Sequence, residues 1–426
     1  MAGRVVRWAV RILLLLAALL LAIGGPVPSV LARVVPGLSP LVAAASAVAQ
    51  RRWYLGLFWA GPPVALLAMG FWKGRWFCRW ICPAGTIYSI PARWSLNKSL
   101  LKLPLNAYLF WTIVFASLVG APLLLLLDPL STFSRLTPLV NGTYTAASLV
   151  PGLLLPLFLV LGAFQPMIWC ARVCPLGYLF GLSQSIRRQG PTKTFRRSRR
   201  HILAGLFIGV PVAAVTRRFL LAKDSYSRLP VLPPGAADLE TFAAACTRCY
   251  ACVDVCPANV IRVGFDLDRA LGQLFQPEVV YFDSPDDPER GFCPEYCNEC
   301  TRVCAAGALS ALTLEQKSQR QIGVAEVIRS ACLAWEDGEA CAVCQEVCSY
   351  GAIDLDESEG PVPRPIVNED ICRGCGACYS HCPAIRAGKA IIVRGVVEQR
   401  QLPDGEEATT APASRTAAAG PQTRST

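Results

Sequence analysis

Histidine is nearly absent: His201 and His381 are the only two in 426 residues. A bis-histidine haem needs paired histidines, and no Cys-x-x-Cys-His occurs, so neither that haem nor covalent c-type attachment fits. The same scarcity excludes histidine-rich copper and di-iron sites. Acids are almost missing from one half. Residues 1–228 carry 25 Lys and Arg but only Asp128 and Asp224 as acids, a balance of +23. Residues 229–426 carry 16 bases against 28 acids, a balance of −12. The overall +11 is therefore not a uniformly basic surface, and nucleic-acid binding is a poor reading of it. Charge is low throughout, at 17% against 53% hydrophobic residues and a mean hydropathy of +0.40. An ordinary soluble domain carries about 25% charged residues. The pattern is a basic membrane half joined to an acidic soluble half.

Four apolar stretches approach the length of a bilayer span: Trp8–Val27, with Arg11 able to snorkel, then Tyr54–Trp72, Tyr108–Leu127 and Ala146–Phe164, which carry no charge. Trp53, Trp72, Tyr108 and Trp169 lie near their ends, as aromatic belts do. Lys and Arg cluster at the N-terminus, after the second stretch and after the fourth. The positive-inside rule puts these three segments in the cytoplasm. The expected fold is an α-helical membrane bundle of four spans over residues 1–200. A signal or anchor helix and linker follow at 201–240, then an α+β polyferredoxin at 241–400 and a disordered tail at 401–426.

The membrane half repeats itself. Leu38-Ser39-Pro40-Leu41-Val42 follows the first stretch and Leu136-Thr137-Pro138-Leu139-Val140 the third. Cys78-x3-Cys82-Pro83-Ala84-Gly85 follows the second and Cys170-x3-Cys174-Pro175-Leu176-Gly177 the fourth. Two copies in one orientation imply a parallel repeat, with both cysteine pairs at the cytoplasmic face and close together. Four thiolates there could hold one 4Fe–4S cluster, one zinc, or nothing. The proline after each second cysteine and the sixteen cysteines downstream favour iron–sulfur. Asp128, at the outer end of the third stretch, reads either as a functional intramembrane acid or as the cap of a helix end.

Arg196-Arg197-Ser198-Arg199-Arg200-His201 precedes an uncharged run, Ile202–Val215. That run is short for a span and suits a signal, and Ser-Arg-Arg-x-apolar-apolar resembles the twin-arginine export motif. A domain whose clusters are inserted in the cytoplasm must cross already folded. Arg217, Arg218 and Lys223 follow the run and favour the alternative, a cytoplasmic interfacial helix. Pro230, Pro233, Pro234 and Gly235 read as a stiff linker.

The remaining cysteines fall into four groups of four: Cys246, Cys249, Cys252 and Cys256; Cys293, Cys297, Cys300 and Cys304; Cys332, Cys341, Cys344 and Cys348; Cys372, Cys375, Cys378 and Cys382. Groups one and four have the C-x2-C-x2-C-x3-C-P spacing of bacterial ferredoxins, in which three thiolates wrap one face of a cluster. The fourth is expected to start a short helix and ligate the neighbouring cluster. Four groups imply four 4Fe–4S clusters, with a fifth at Cys78, Cys82, Cys170 and Cys174. Groups two and three depart from the regular spacing. Nested pairing is therefore expected: Cys246, Cys249 and Cys252 with Cys382, and Cys372, Cys375 and Cys378 with Cys256. Sequential pairing is the alternative. His381 reads as a surface residue beside Cys382, and His201 as part of the export signal.

The run Leu232-Pro233-Pro234-Gly235-Ala236, Phe242 and the first cysteine group resemble the start of NapG-type ferredoxins. Gly323-Val324-Ala325, the fourth group and Ala390-Ile391-Ile392-Val393 are similar too. The paired Cys-x3-Cys-Pro half resembles NapH, and also the membrane part of NosR-type proteins. MauN/MauM-type proteins look much the same. Ala305 and Ser349 stand where proline is common after the fourth cysteine. The resemblance implies a NapH–NapG-like fusion in the inner membrane of a bacterium, with the ferredoxin domain periplasmic. It would pass electrons from quinol to a periplasmic redox enzyme or cytochrome, such as nitrate reductase. An accessory factor that matures a redox enzyme, and a membrane-anchored cytoplasmic polyferredoxin, are the alternatives. No quinone site and no catalytic residue is legible.

Overall fold

The computed structural model describes residues 2–23, 34–50, 57–96, 103–120, 127–135, 151–220, 229–264, 275–358, 360–384 and 388–402. The expected tail lies outside them apart from residues 401–402, and so does the Leu136–Val140 copy of the repeat.

The N-terminal half is helical. Its elements are α1 (Ala2–Ile23), α2 (Val34–Gly37), α3 (Pro40–Gln50), α4 (Leu57–Lys73), α5 (Trp76–Trp80), α6 (Pro83–Tyr88), α7 (Leu105–Val119), α8 (Pro129–Ser134), α9 (Leu154–Phe164), α10 (Pro175–Gln189) and α11 (Pro191–Leu220). Its core joins Phe77, Tyr88, Phe110, Ile113, Leu130, Phe133, Trp169 and Phe180.

Four spans are not what the described residues display. α4, α7 and α9 have 17, 15 and 11 residues, and parts of the expected second, third and fourth spans lie outside the described segments. Among the described residues one helix, Pro191–Val215, is long and apolar enough to cross a membrane. It contains the run expected to be a short signal. The basic segment before that run is helical as well, and together they make a 30-residue helix.

α11 lies along α7. A Cβ on Gly205 would sit 2.5 Å from Trp111 Cβ, and one on Gly209 2.8 Å from the Thr112 carbonyl oxygen. One turn on, Ala213 is buried against Ala116. Gly205-x3-Gly209 is thus a small-residue seam that brings two backbones together, as in membrane helix pairs. Rising numbers on one helix meet rising numbers on the other, so the two run parallel.

Arg11 does not snorkel. It is buried (7% exposed), and its guanidinium donates to Gly85 O at 2.8 Å, Ser89 Oγ at 2.7 Å and Thr86 Oγ1 at 3.3 Å. α1 is thereby fastened to α6, the helix that begins at Cys82. A charged donor inside an apolar core is tolerated only when its hydrogens find acceptors, and the end of α6 supplies them.

The C-terminal half is built of short pieces. α12 (Leu239–Ala245) leads into α13 (Ala251–Asp254), α14 (Glu299–Arg302), α15 (Leu314–Ser318), α16 (Val343–Glu346) and α17 (Ala377–Ser380). Three antiparallel two-stranded sheets join them: β1 (Ile261–Val263) with β2 (Pro277–Val279), β3 (Gly323–Val327) with β6 (Ile391–Gly395), and β4 (Ile353–Asp356) with β5 (Arg364–Val367). The segment expected to be a linker is part of this unit. Val231 bridges to Val279, and Gln399 ties Leu232, Pro233 and Gly235 through their backbones.

Candidate iron–sulfur centres

The repeated Cys-x3-Cys-Pro-x-Gly motif has a local cause. Cys82 and Cys174 cap α6 and α10, proline fills the first helical turn, and each sulfur accepts the backbone N–H three residues on: Gly85 at 3.4 Å and Gly177 at 3.3 Å. Proline costs nothing there, because that N–H has no helical partner in any case. The glycine is required by crowding. A Cβ on Gly85 would lie 2.7 Å from the Cys78 carbonyl oxygen, and one on Gly177 3.2 Å from that of Cys170.

The two motifs converge. Cys78, Cys82, Cys170 and Cys174 line one cavity of about 220 Å³, together with Arg75, Arg79, Pro129 and Trp169. Arg75 places positive charge beside Cys78 and Cys170, and Arg11 beside Cys82 and Cys170. A single tetrahedral zinc with Zn–S of about 2.3 Å draws its sulfurs to roughly 3.8 Å of one another. Among the described residues no three His, Cys, Asp or Glu side chains converge in that way. The four cysteines line one space, and a 4Fe–4S group there would give each thiolate its own iron.

Asp128 does not stand at the far end from this cavity. It is fully buried, and it caps α8 by accepting Leu130 N and Ser131 N, both at 3.1 Å, while Ser39 Oγ donates to it at 2.7 Å. It lies within electrostatic reach of Cys82 and Cys174, and the next residue, Pro129, lines the cavity. The reading as a helix cap is right in kind. The chain nevertheless carries that cap inward after α7.

The other end of α8 meets the cysteine-rich half. Arg135 is buried (1% exposed) and donates to Arg248 O at 2.7 Å and Thr247 O at 3.0 Å; Ser134 Oγ donates to Cys249 O at 3.1 Å. Ser46 on α3 reaches Ala245 O at 3.3 Å. Cys304 packs against both cores. Sequence reasoning passed over Arg135. Its signal was isolation: Asp128 and Arg135 are the only charged residues between Lys102 and Arg172.

Electrostatic neighbours sort the sixteen downstream cysteines. Cys246, Cys249 and Cys252 lie with Cys304, and Cys293, Cys297 and Cys300 with Cys256. Cys372, Cys375 and Cys378 lie with Cys348. Cys332, Cys341, Cys344 and Cys382 line one cavity. Each group thus lends its fourth cysteine to its sequence neighbour: one with two, three with four. The nested pairing expected from shared spacing is overturned. Regular spacing describes how three thiolates wrap one centre and carries nothing about which group lies beside it. The short helices differ too. α13, α14, α16 and α17 each carry the third cysteine of a group, Cys252, Cys300, Cys344 and Cys378, and end before the fourth.

Groups one and four share a backbone as well as a spacing. Arg248 and Tyr250 take φ of 56° and 64° where Gly374 and Gly376 take 72° and 84°. Alternation with left-handed residues turns successive N–H groups inward, forming a nest for negative charge. Leu309 N, Ala325 N and Ala352 N point at the sulfurs of Cys304, Cys372 and Cys348, at 3.4, 3.4 and 3.3 Å. Burial pushes the Cys246 and Cys375 thiols up to about 12 and Cys344 up to about 11. Buried thiols of this kind ionise only with positive charge at the sulfur, which iron supplies. The four sets follow one another. Cys252 neighbours Cys300, Cys293 N donates to Cys375 O at 2.8 Å, and Cys378 neighbours Cys344. Buried Tyr281 sits between the middle two sets, and its hydroxyl donates to Gly374 O.

Neither histidine lies among the sulfurs as a ligand. His381 Nδ1 pairs with Ala377 O at 2.9 Å, and His201 packs edge-on against Tyr108.

Comparison with known proteins agrees with this geometry. The 4Fe-4S dicluster domain family matches residues 338–385, and two 4Fe-4S binding domain families match residues 241–262 and, in two copies, 53–102 and 148–193. The methylamine utilization ferredoxin-type protein MauM of Methylophilus methylotrophus is 32% identical over 208 residues, which is 86% of that protein and 47% of this chain. The chain belongs to the NapG/MauM-type ferredoxin family. The ferredoxin-type protein NapG of Escherichia coli K12 is 30% identical over 230 residues, 92% of that protein and 50% of this chain. Its NapF is 29% identical over 153 residues, 80% of that protein. No solved structure matches. As a NapG/MauM-type ferredoxin the chain is an iron–sulfur electron-transfer protein. The paired match at 53–102 and 148–193 extends iron–sulfur character to the half that contains the two Cys-x3-Cys-Pro motifs.

Proposed function

We propose that this chain is a NapH–NapG-like fusion that carries electrons from the quinol pool, through a membrane-bound half, to a redox enzyme outside the cytoplasmic membrane. The observation that carries this reading is α8. Its first residue lines the cavity of Cys78, Cys82, Cys170 and Cys174, and the residue after it holds the loop between Cys246 and Cys249. Six helical residues span about 9 Å, so the two sets of sulfurs lie one short helix apart. Each 4Fe–4S group, once bound, supplies a one-electron carrier. The chain's own residues do the rest. Twenty cysteines fix five sites in a row, Arg135 and Ser134 clamp the first downstream site to the membrane half, and Arg75 and Arg11 offset negative charge at the entry.

The parallel run of α7 and α11 supports export. Leu105 follows the basic residues Lys98 and Lys102, and α11 begins among Lys193, Arg196, Arg197, Arg199 and Arg200. Both helices would leave the cytoplasmic side together, delivering residue 229 to the other face; with α8 joining the two sets of sulfurs, the Cys78–Cys174 cavity would then lie toward that face and not at the cytoplasmic surface expected from the charge pattern.

The test is anaerobic reduction of the purified full chain by a quinol analogue, followed by EPR. Quinol is expected to reduce the clusters of residues 241–400 in the wild type. It should fail in Cys174→Ser, which dithionite still reduces. Equal quinol reduction of both proteins overturns the reading.

A further inference from the structure

Two hydrogen-bond donors beside the Cys78–Cys174 cavity have no protein acceptor. Tyr88 is 2% exposed and Trp169 1%, yet neither the Tyr88 hydroxyl nor Trp169 Nε1 has a hydrogen-bond partner. Their rings lean on each other, with centroids 5.9 Å apart at 31°. Phe158 meets the far side of Trp169 edge-on at 4.6 Å. Buried tyrosine and tryptophan normally find a partner for the polar atom. An unpaired buried donor loses its hydrogen bonds to water and gains none in exchange. Ser131 Oγ and Trp111 Nε1 are buried and unpaired as well, but Tyr88 and Trp169 stand side by side next to the cavity that four cysteines line, and that placement points to an acceptor that is not protein.

Their surroundings identify that acceptor. Trp169 immediately precedes Cys170 and lines the cavity with all four cysteines. Tyr88 lies at the end of the helix capped by Cys82, and it is in electrostatic reach of Cys82, Cys170 and Cys174. The cavity lining is apolar apart from the sulfurs and two arginines, Arg75 and Arg79. Arginines are donors only, so they offer neither side chain an acceptor. A trapped water would need two to four polar partners of its own, and the lining offers it few acceptors. Sulfur is the acceptor that remains.

We propose that the Tyr88 hydroxyl and Trp169 Nε1 donate hydrogen bonds to sulfur atoms of the 4Fe–4S group held by Cys78, Cys82, Cys170 and Cys174, and so set its reduction potential. The inference rests on the proposed occupancy of that site. Hydrogen bonds to sulfur are among the levers that fix such potentials. A donor stabilises the more negatively charged, reduced state, and therefore raises the potential. The downstream sites receive backbone N–H groups from loops. At the membrane-half site each Cys-Pro-x-Gly turn supplies one, and the two aromatic donors add to them. An entry site raised in this way accepts electrons from a mild reductant more readily than a bare all-thiolate site would.

The experiment is a potentiometric titration of the full-length protein in nanodiscs, read by EPR, on wild type, Tyr88→Phe and Trp169→Phe. Tyr88→Phe removes one oxygen and leaves the ring in place, so it tests the idea even if Trp169→Phe disturbs folding. At a poise near the wild-type midpoint each variant is expected to lower the reduced-to-oxidised ratio of this one cluster about tenfold, which is ~59 mV for a one-electron couple. The other four clusters should not move. An exchangeable proton coupling seen by ENDOR in the wild type should disappear in Tyr88→Phe. An unchanged midpoint and unchanged proton couplings in Tyr88→Phe, with iron content intact, overturn the inference. Wild-type protein with iron for only four clusters overturns the occupancy itself, and is told apart by the iron count alone.

Discussion

The guanidinium of Arg135 donates to the backbone carbonyl of Arg248 at 2.7 Å, joining the last turn beside α8 to the first cysteine loop. Arg248 has φ of 56° and donates in turn to Cys246 O at 3.1 Å. The loop that wraps the first downstream site is thus held from the N-terminal half. Arg135→Ala takes that donor from the carbonyls of Thr247 and Arg248, at about 1–3 kcal/mol each if nothing replaces it. We expect electron arrival at the Cys246–Cys304 site to slow at least tenfold in rapid-freeze EPR after mixing with a quinol analogue. Iron content and dithionite reduction should stay unchanged. Arg135→Lys restores charge without the planar fork, and should recover only part of the rate.

The iron–sulfur character of the chain was legible because the x2-x2-x3 rhythm of the downstream cysteines is one that disulfide use does not impose. Pairing was not legible. It depends on where β3 and β6 place groups three and four, and those strands are far apart in the chain. The Cys-Pro-x-Gly turns could be read, since proline and glycine each answer a local steric need. Depth could not: Asp128 has the sequence of a helix cap wherever that cap sits. Arg11 looked like a snorkelling residue because nothing in its neighbourhood reveals the Gly85 carbonyl it meets. Gly205-x3-Gly209 stands in the sequence, but which helix it packs on depends on α7, nearly a hundred residues earlier in the chain.

Pairing can be checked by counting iron in double variants. Cys246 and Cys304 belong to one set, so Cys246→Ser with Cys304→Ser should lose one cluster, about four irons. Cys246→Ser with Cys382→Ser touches two sets and should lose about eight. Nested pairing gives the opposite result with Cys382. With five sites filled the wild type should hold about 20 irons, from four irons per cluster. Stoichiometric zinc with little iron would falsify the iron–sulfur assignment.

The seam between α7 and α11 has no room for side chains at its glycines. Gly205→Leu forces atoms into Trp111, whose Cβ lies 2.5 Å from the added carbon. Overpacking of this kind costs about 1–3 kcal/mol. The midpoint of thermal unfolding in detergent should fall, whereas Gly61→Ala, on α4 with nothing within 4 Å of the added carbon and no positive φ, should not lower it. Equal midpoints for Gly205→Leu and wild type would mean that the two helices do not pack as described.

The proposed export would rest on Arg199 and Arg200, which precede the apolar run of α11. Arg199→Lys with Arg200→Lys keeps charge and helix but removes the guanidinium pair. We expect the cysteine-rich half to remain on the cytoplasmic side in this variant. Protease added from outside to spheroplasts should then digest that half in the wild type alone. Equal digestion of both means that the twin arginines are not an export signal.

The far end of the row of sites is acidic. Glu336, Asp337, Glu339 and Glu346 are all exposed on the segment that also carries Cys341 and Cys344, and no base lies between residues 336 and 346. Of the nearby cations, Arg329 and Arg364 are stacked on the ring of Trp335 at 4.1 and 4.8 Å, and Lys389 is paired with Asp283 at 2.6 Å. Opposite surface potentials raise the rate of encounter more than the affinity. Such steering fades as the Debye length shrinks from ~10 Å at 0.1 M salt to ~3 Å at 1 M. Electron delivery to a cationic cytochrome c should therefore slow as salt rises, while delivery to ferricyanide, an anion, should quicken. Neutralising the four acids, as Glu336→Gln, Asp337→Asn, Glu339→Gln and Glu346→Gln, should flatten both dependences. Quinol-driven reduction of the protein's own clusters crosses no such encounter and should stay constant with salt. Stopped-flow rates across a salt series decide the matter. If the cytochrome rate is flat in the wild type, the acids serve only to keep this half soluble, and the partner's charge is not what it recognises.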